Sequence, residues 1–300
     1  MVDKRQLLGM TLEELKGVAS EVGLPAYAAK QMADWIYKKK ITRISEMTNI
    51  AVAKRALLED SFEIGAYPPS EYQKSKDGTI KYLYAAGPGR FVESVYIPTD
   101  DRATLCVSSQ VGCKMNCLFC MTGKQGFTAN LTANQILNQI QSLPENDSLT
   151  NIVFMGMGEP LLNYEQVLRA IERITAQDGL AMSPYRITVS TAGIPEKIRQ
   201  LADDGVRFNL ALSLHAAKET TRTFLMPVNK AYPLSEIAGS LKYFVEKTGT
   251  RPTFEYLLLK DINDSLEDAK ALALYCRQFP IKINIIEYNN VEGSGFQHSP

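Results

Sequence analysis

The sequence has no surplus charge of either sign. Its 33 basic residues meet 33 acidic ones, so the formal net charge is zero and no global field points to a nucleic acid or an anionic surface. Any RNA site on such a chain has to be a local patch. Long apolar runs are missing, as is the charged-then-apolar pattern of a secretory leader, so the reading is a cytosolic protein with no membrane span. Cysteine is scarce, and three of the five sit in one loop, which is not a disulfide framework. Histidine is scarcer still, with only two in the chain. What the chain does have is length. Its 300 residues are enough to bury a large core and to form one large domain with a smaller one.

The three clustered cysteines are Cys113, Cys117 and Cys120, in the string Cys113-Lys114-Met115-Asn116-Cys117-Leu118-Phe119-Cys120. Thiolates bind soft metals and are the usual ligands of iron–sulfur clusters. Four cysteines normally saturate a four-iron cluster, so three leave one iron open. Zinc is the competing reading, but it normally takes four ligands, and no fourth cysteine or histidine lies near this loop.

From residue 103 onward, strand and helix patterns alternate. Strands are predicted at 104–109, 151–155, 186–190, 208–214, 253–259 and 282–288. Helices are predicted between them at 133–142, 164–176, 195–203, 235–247 and 266–279. Six such units predict an α/β fold, a partial (β/α)6 barrel over 103–300. Residues 1–65 read as helical. Thr11 and Glu14 form a capping-box pattern, and an amphipathic helix over 25–37 offers Met32, Trp35 and Ile36 to a core. Residues 66–102 read as a small β extension. Between Lys30 and Arg55 there are seven basic residues against Asp34 and Glu46, a patch suited to phosphate contact or simply to solvent.

The residues able to do chemistry fall just after the predicted strands, at the face where such barrels carry their active sites. These are the cysteine loop, Gly158 and Glu159, Ser190, the triplet Ser213-Leu214-His215, and Asn289.

The C-x3-C-x2-C spacing with Phe119 before the last cysteine resembles the radical S-adenosylmethionine (SAM) superfamily. The wider stretch, from Cys106 through Gln125-Gly126-Phe127 to Asn130-Leu131-Thr132, resembles the RlmN/Cfr family of RNA adenine methyltransferases, its RlmN branch in particular. The resemblance implies a [4Fe-4S] cluster on Cys113, Cys117 and Cys120. It implies SAM contacts from Gly158, Glu159, Ser190, Ser213, Leu214, His215 and Asn289. It implies Glu93 as proton acceptor and Cys106 as the thiol that resolves a protein–RNA adduct by forming a disulfide. The activity implied is methylation of adenosine C2 in 23S rRNA, at the peptidyl transferase centre, and in tRNA, 3′ of the anticodon. Implied too are an RNA-binding role for residues 1–65, a flavodoxin-like electron donor and a cytoplasmic monomer.

Family members carry a further, methyl-bearing cysteine near the C-terminus. No cysteine follows Cys276 here, so the barrel is expected to be truncated at its C-terminus. Three other activities stay open at this stage: C8 methylation of the Cfr type, radical chemistry on a small molecule, and a non-catalytic, cluster-bearing RNA-binding fragment.

Overall fold

A computed structural model describes residues 4–290 and 294–299. The chain divides into two compact units. One comprises Met1–Ser109, Asn130–Ile152 and Asn163–Pro184; the other comprises Gln110–Ala129, Val153–Leu162 and Tyr185–Pro300. These units do not follow the sequence ranges 1–65, 66–102 and 103–300.

In the first unit, helix Leu12–Glu21 opens on the anticipated capping box. The Thr11 hydroxyl accepts from the Glu14 N–H at 3.2 Å, and the Glu14 carboxylate accepts from the Thr11 N–H at 2.7 Å. Helix Ala28–Ala33 runs into a π-turn, Asp34–Lys38. The wider turn shifts the helical phase, and this alters which residues face the core. Ile36 and Tyr37 are buried, whereas Trp35 is only half-buried, a correction to the expected core set. The Trp35 indole instead donates to Asn49 at 2.6 Å and lies beneath the Lys39 ammonium, 3.4 Å from its ring centroid. Four antiparallel strands follow, Glu71–Lys74, Ile80–Ala85, Phe91–Pro98 and Ala103–Cys106.

Helix Ala133–Gln141 holds this unit together through buried amides. Asn134 donates to the carbonyls of Leu8 and Gly65, both at 3.1 Å. Gln141 donates to Ile36 O at 2.7 Å, and Asn138 accepts from Tyr67 N at 2.7 Å. Gln139 both accepts from Ser108 N and donates to Ser108 O, substituting for a neighbouring strand. Each amide satisfies a backbone group that burial would otherwise leave unpaired.

In the second unit, strands Ile187–Thr191, Asn209–Ser213, Thr253–Leu258 and Lys282–Glu287 pair in parallel in that order. Helices Pro195–Asp203, Leu234–Thr248 and Leu266–Cys276 connect them, each within two or three residues of its sequence-predicted bounds. Strand Asn151–Phe154 spans the division between the units. A short helix, Glu219–Leu225, was not anticipated. Neither was the pairing of Gln110–Gly112 with Phe127–Asn130, two strands too short to show alternation. No helix among the described residues is long and apolar enough to cross a membrane.

Candidate active site

The cysteine loop closes on itself before it meets anything else. The Cys113 N–H donates to Gly126 O at 3.0 Å, and the Cys120 N–H donates to Cys117 O at 3.1 Å. Gly112 makes this closure possible. Its φ is +75°, and a Cβ there would lie 1.7 Å from Gly126 O. Asn116, at φ 51°, supplies the left-handed turn between the first two thiols.

Cys113, Cys117 and Cys120 line one cavity of about 260 Å³, together with Gly158, Glu159, Ser190, Ser213 and His215. All of these residues belong to the second unit. Burial pushes the Cys117 thiol up to about 12, and its two neighbouring thiols push the same way. Burial likewise raises Cys113. Thiols in such a place ionise when a cation compensates them. Among the described residues, no three His, Cys, Asp or Glu side chains stand at the spacing of a single metal ion. A four-iron cubane does not ask for that spacing, because each thiolate ligates a different iron and the sulfurs surround the cluster. Three thiols lining one cavity fit such a cluster with one iron left open.

Glu159 is fully buried, and its carboxylate already works within the protein. It accepts from Ala192 N at 2.7 Å and from Leu161 N at 3.1 Å. The Glu159 N–H donates to the Gln110 side chain at 2.9 Å. Burial raises the carboxyl to about 6, and its backbone hydrogen bonds hold it from going higher. The Thr191 side chain is a third hydrogen-bond partner, which leaves one lone pair for a donor in the cavity. Gly158, at φ +103°, packs against Gln110 so closely that a Cβ would sit 2.5 Å from the Gln110 Cβ. The Ser190 and Ser213 hydroxyls lie 3.2 Å apart at the ends of adjacent strands.

His215 is buried at φ 54°, an unusual conformation for a side chain of this size. Its Nδ1 accepts from Leu257 N at 3.0 Å, so the neutral ring carries its proton on Nε2. Burial lowers its pKa to about 3, with repulsion from Arg222 adding to the effect. The ring is therefore a neutral donor at physiological pH and not an acid–base group. Phe119 packs edge-on against it, 4.8 Å between centroids.

Other sequence-predicted residues lie elsewhere. The Leu214 side chain is buried, and its N–H donates to Glu255 O at 3.0 Å. Asn289 is exposed and does not line the cavity. Glu93 and Cys106 belong to the first unit. Glu93 is half-exposed and ion-paired to Lys81 at 3.0 Å, and Cys106 is partly buried in strand Ala103–Cys106, opposite Val95.

Sequence reasoning missed the polar residues that brace the site. Asn263 donates to His215 O at 2.6 Å and Leu257 O at 2.7 Å, which holds the strained His215 backbone. Glu255 lines the cavity and is raised by burial. Arg222 is wholly buried. The one hint in the sequence was an arginine two residues before the apolar run Phe224-Leu225-Met226.

Residues 107–273 match the Radical SAM superfamily, and residues 5–64 match the Ribosomal RNA large subunit methyltransferase N-terminal domain. Parallel strands whose ends share a cavity with a three-thiol loop, with these matches, define a radical SAM enzyme, whose cofactors are a [4Fe-4S] cluster and SAM. A protein of Parabacteroides distasonis named "Probable dual-specificity RNA methyltransferase RlmN" is 69% identical over 299 residues, covering 100% of this chain and 87% of that one. A protein of the same name from Bacteroides thetaiotaomicron is 51% identical over 293 residues, covering 98% and 85%. The chain belongs to the RlmN family of RNA methyltransferases. A solved radical SAM methyltransferase from Sphaerobacter thermophilus superposes with a TM-score of 0.94 at 36% identity, covering 99% of this chain and 89% of that one.

Proposed function

We propose that this protein methylates C2 of adenosine in 23S rRNA, at the peptidyl transferase centre, and in tRNA, 3′ of the anticodon. The observation that carries the proposal is the convergence of three thiols, the Glu159 carboxylate and two serine hydroxyls on one cavity in a chain of this family. An aromatic C–H carbon is a poor nucleophile, so ordinary methyl transfer does not reach it. The cluster and SAM supply one-electron cleavage of a carbon–sulfur bond, chemistry that no side chain provides.

The chain's own residues have definable tasks. Cys113, Cys117 and Cys120 hold the cluster. Glu159 accepts from the SAM amino group, Ser190 and Ser213 bind its polar groups, and Gly158 admits close backbone approach. The His215 Nε2–H donates into the same space. By resemblance, Glu93 takes the ring proton and Cys106 resolves the adduct by forming a disulfide with a methyl-bearing cysteine. Cys276 is a poor candidate for that partner, since it ends helix Leu266–Cys276, where burial raises its thiol. The target base has to leave its stack to be reached. A flavodoxin-like donor, a monomeric state and a cytoplasmic site of action complete the proposal.

The test is methyl transfer from labelled SAM to unmodified rRNA fragments and tRNA by the protein of the full gene, with product nucleosides identified by mass spectrometry. 2-Methyladenosine is the expected product. 8-Methyladenosine, or SAM cleavage with no labelled RNA, overturns the assignment.

RNA affinity draws on the basic stretch unevenly. Lys38 is ion-paired to Asp34 at 2.7 Å, Lys40 to Asp147 at 2.5 Å, and Arg43 lies 3.8 Å from Glu46. Among the described residues, Lys39 forms no such ion pair and rests on Trp35. Lys39→Ala is therefore expected to lower the salt slope of RNA binding by about one counterion, and Lys38→Ala by clearly less. Equal losses from both would show that the internal ion pairs open on RNA.

A further inference from the structure

Arg222 is a buried charge to which the reading above gives no task. It lies on helix Glu219–Leu225 with no exposed surface. Its Nε donates to Leu214 O at 3.2 Å, and its Nη2 donates to Ala192 O at 2.6 Å and to Ser213 O at 3.3 Å. Its Nη1 donates to the Asn229 side-chain carbonyl at 2.6 Å. Each protein partner is a neutral oxygen. The Glu219 carboxylate makes no direct bond to Arg222, accepting instead from Asn229 Nδ2 at 2.6 Å and Leu234 N at 2.7 Å, though its charge and that of Cys117 both favour the charged guanidinium. A buried cation held only by dipoles is costly unless an anion lies nearby. Burial brings the guanidinium down to about 10, which leaves it charged at neutral pH.

The same helix touches the cysteine loop. The Leu118 N–H donates to Leu225 O at 2.9 Å, and Cys117 packs against the apolar cluster that contains Leu225 and Met226. Ala192 connects the two buried charges. Its N–H serves the Glu159 carboxylate, and its carbonyl receives Arg222. One short helix thus ties the thiol loop to the chain just after Ser190 and to the end of the strand that carries Ser213.

We propose that Arg222 is a positioning residue with two tasks: its fork fixes the segments that carry Ser190 and Ser213, and its charge compensates the three thiolates and the cluster they hold. The inference rests on reading Cys113, Cys117 and Cys120 as cluster ligands. A [4Fe-4S] core with three thiolates carries net negative charge, and reduction adds another electron. A fixed cation beside it favours the reduced form, because net charge and nearby hydrogen bonds set cluster potentials.

The experiment compares the reconstituted full protein with Arg222→Gln and Arg222→Lys. It reads iron content, cluster midpoint potential by EPR-monitored titration, and SAM affinity. Wild type without a cluster sinks the ligand assignment itself, so that failure is recognisable. With the cluster present, Arg222→Gln is expected to keep its iron, shift to a more negative potential and bind SAM about tenfold more weakly or worse. Arg222→Lys is expected to restore the potential but not the affinity, since an ammonium cannot span three carbonyls. Wild-type potential and affinity in Arg222→Gln overturn the proposal. If that variant does not fold, Arg222→Lys decides: wild-type SAM affinity removes the fork's task, and a negative shift in potential removes the charge's.

Discussion

Alanine in place of any one of Cys113, Cys117 or Cys120 is expected to remove the iron chromophore and bring SAM cleavage to background. The loop leaves no substitute. Its backbone is closed by the Cys113–Gly126 and Cys120–Cys117 hydrogen bonds, so the three thiols keep their places and no fourth lies beside them. On the proposed ligation, losing one leaves two protein ligands for four irons, and the open iron for SAM loses its frame. Cys276→Ala provides the contrast, with iron and cleavage unchanged, because that thiol ends a helix and does not line the cavity. Iron analysis, the visible spectrum and 5′-deoxyadenosine production after anaerobic reconstitution measure all four variants. A triple alanine variant that retains iron and cleavage ends the cluster assignment.

Glu159→Gln is expected to carry the second large effect. The carboxylate gives one oxygen to Leu161 N and the other to Ala192 N. An amide has only one oxygen, so one buried N–H would face another donor, at a cost of about 1–3 kcal/mol. The Ala192 turn that follows Ser190 then loosens, and SAM affinity is expected to fall about tenfold or more. Wild-type SAM affinity in this variant would exclude the role. In the unsubstituted protein, pH acts on this group in two opposite directions. Burial raises the folded carboxyl from 4.5 to about 6. Its contribution to stability is therefore fully present below the unfolded value and is lost as pH rises through about 6. Above that the buried carboxylate costs about 2 kcal/mol. On the proposed role SAM binding needs the ionised acceptor, so affinity is expected to drop about tenfold per pH unit below 6. Glu159→Gln should show neither trend between pH 5 and 7.

Much of this protein is legible without its structure. Strand and helix periods placed all six barrel strands and their five connecting helices, because burial of one face imposes a period that local sequence records. The thiol loop, Gly158-Glu159, Ser190 and Ser213 were legible for a different reason. The thiols stand at short spacing, the others match positions of the family by resemblance, and strand ends in such folds gather on one face; the structure brings all of them to one cavity.

The tertiary structure decided what depends on partners far along the chain. The Asn134 contact with Leu8 joins residues 126 apart, and Arg222 reaches Ala192 across 30. An amide or arginine in a polar string reads as solvated until the fold shows which carbonyls it must satisfy. Trp35 is a similar case, since a π-turn changed the helical phase and moved Tyr37 into the core in its place. The neutral state of His215 depended on burial, with Arg222 adding to it, and its tautomer on a backbone N–H contributed by another strand. Residue type and local period therefore determined the fold class and the candidate site groups. Long-range satisfaction of buried polar groups, which leaves no mark at short spacing, determined how those groups are held and charged.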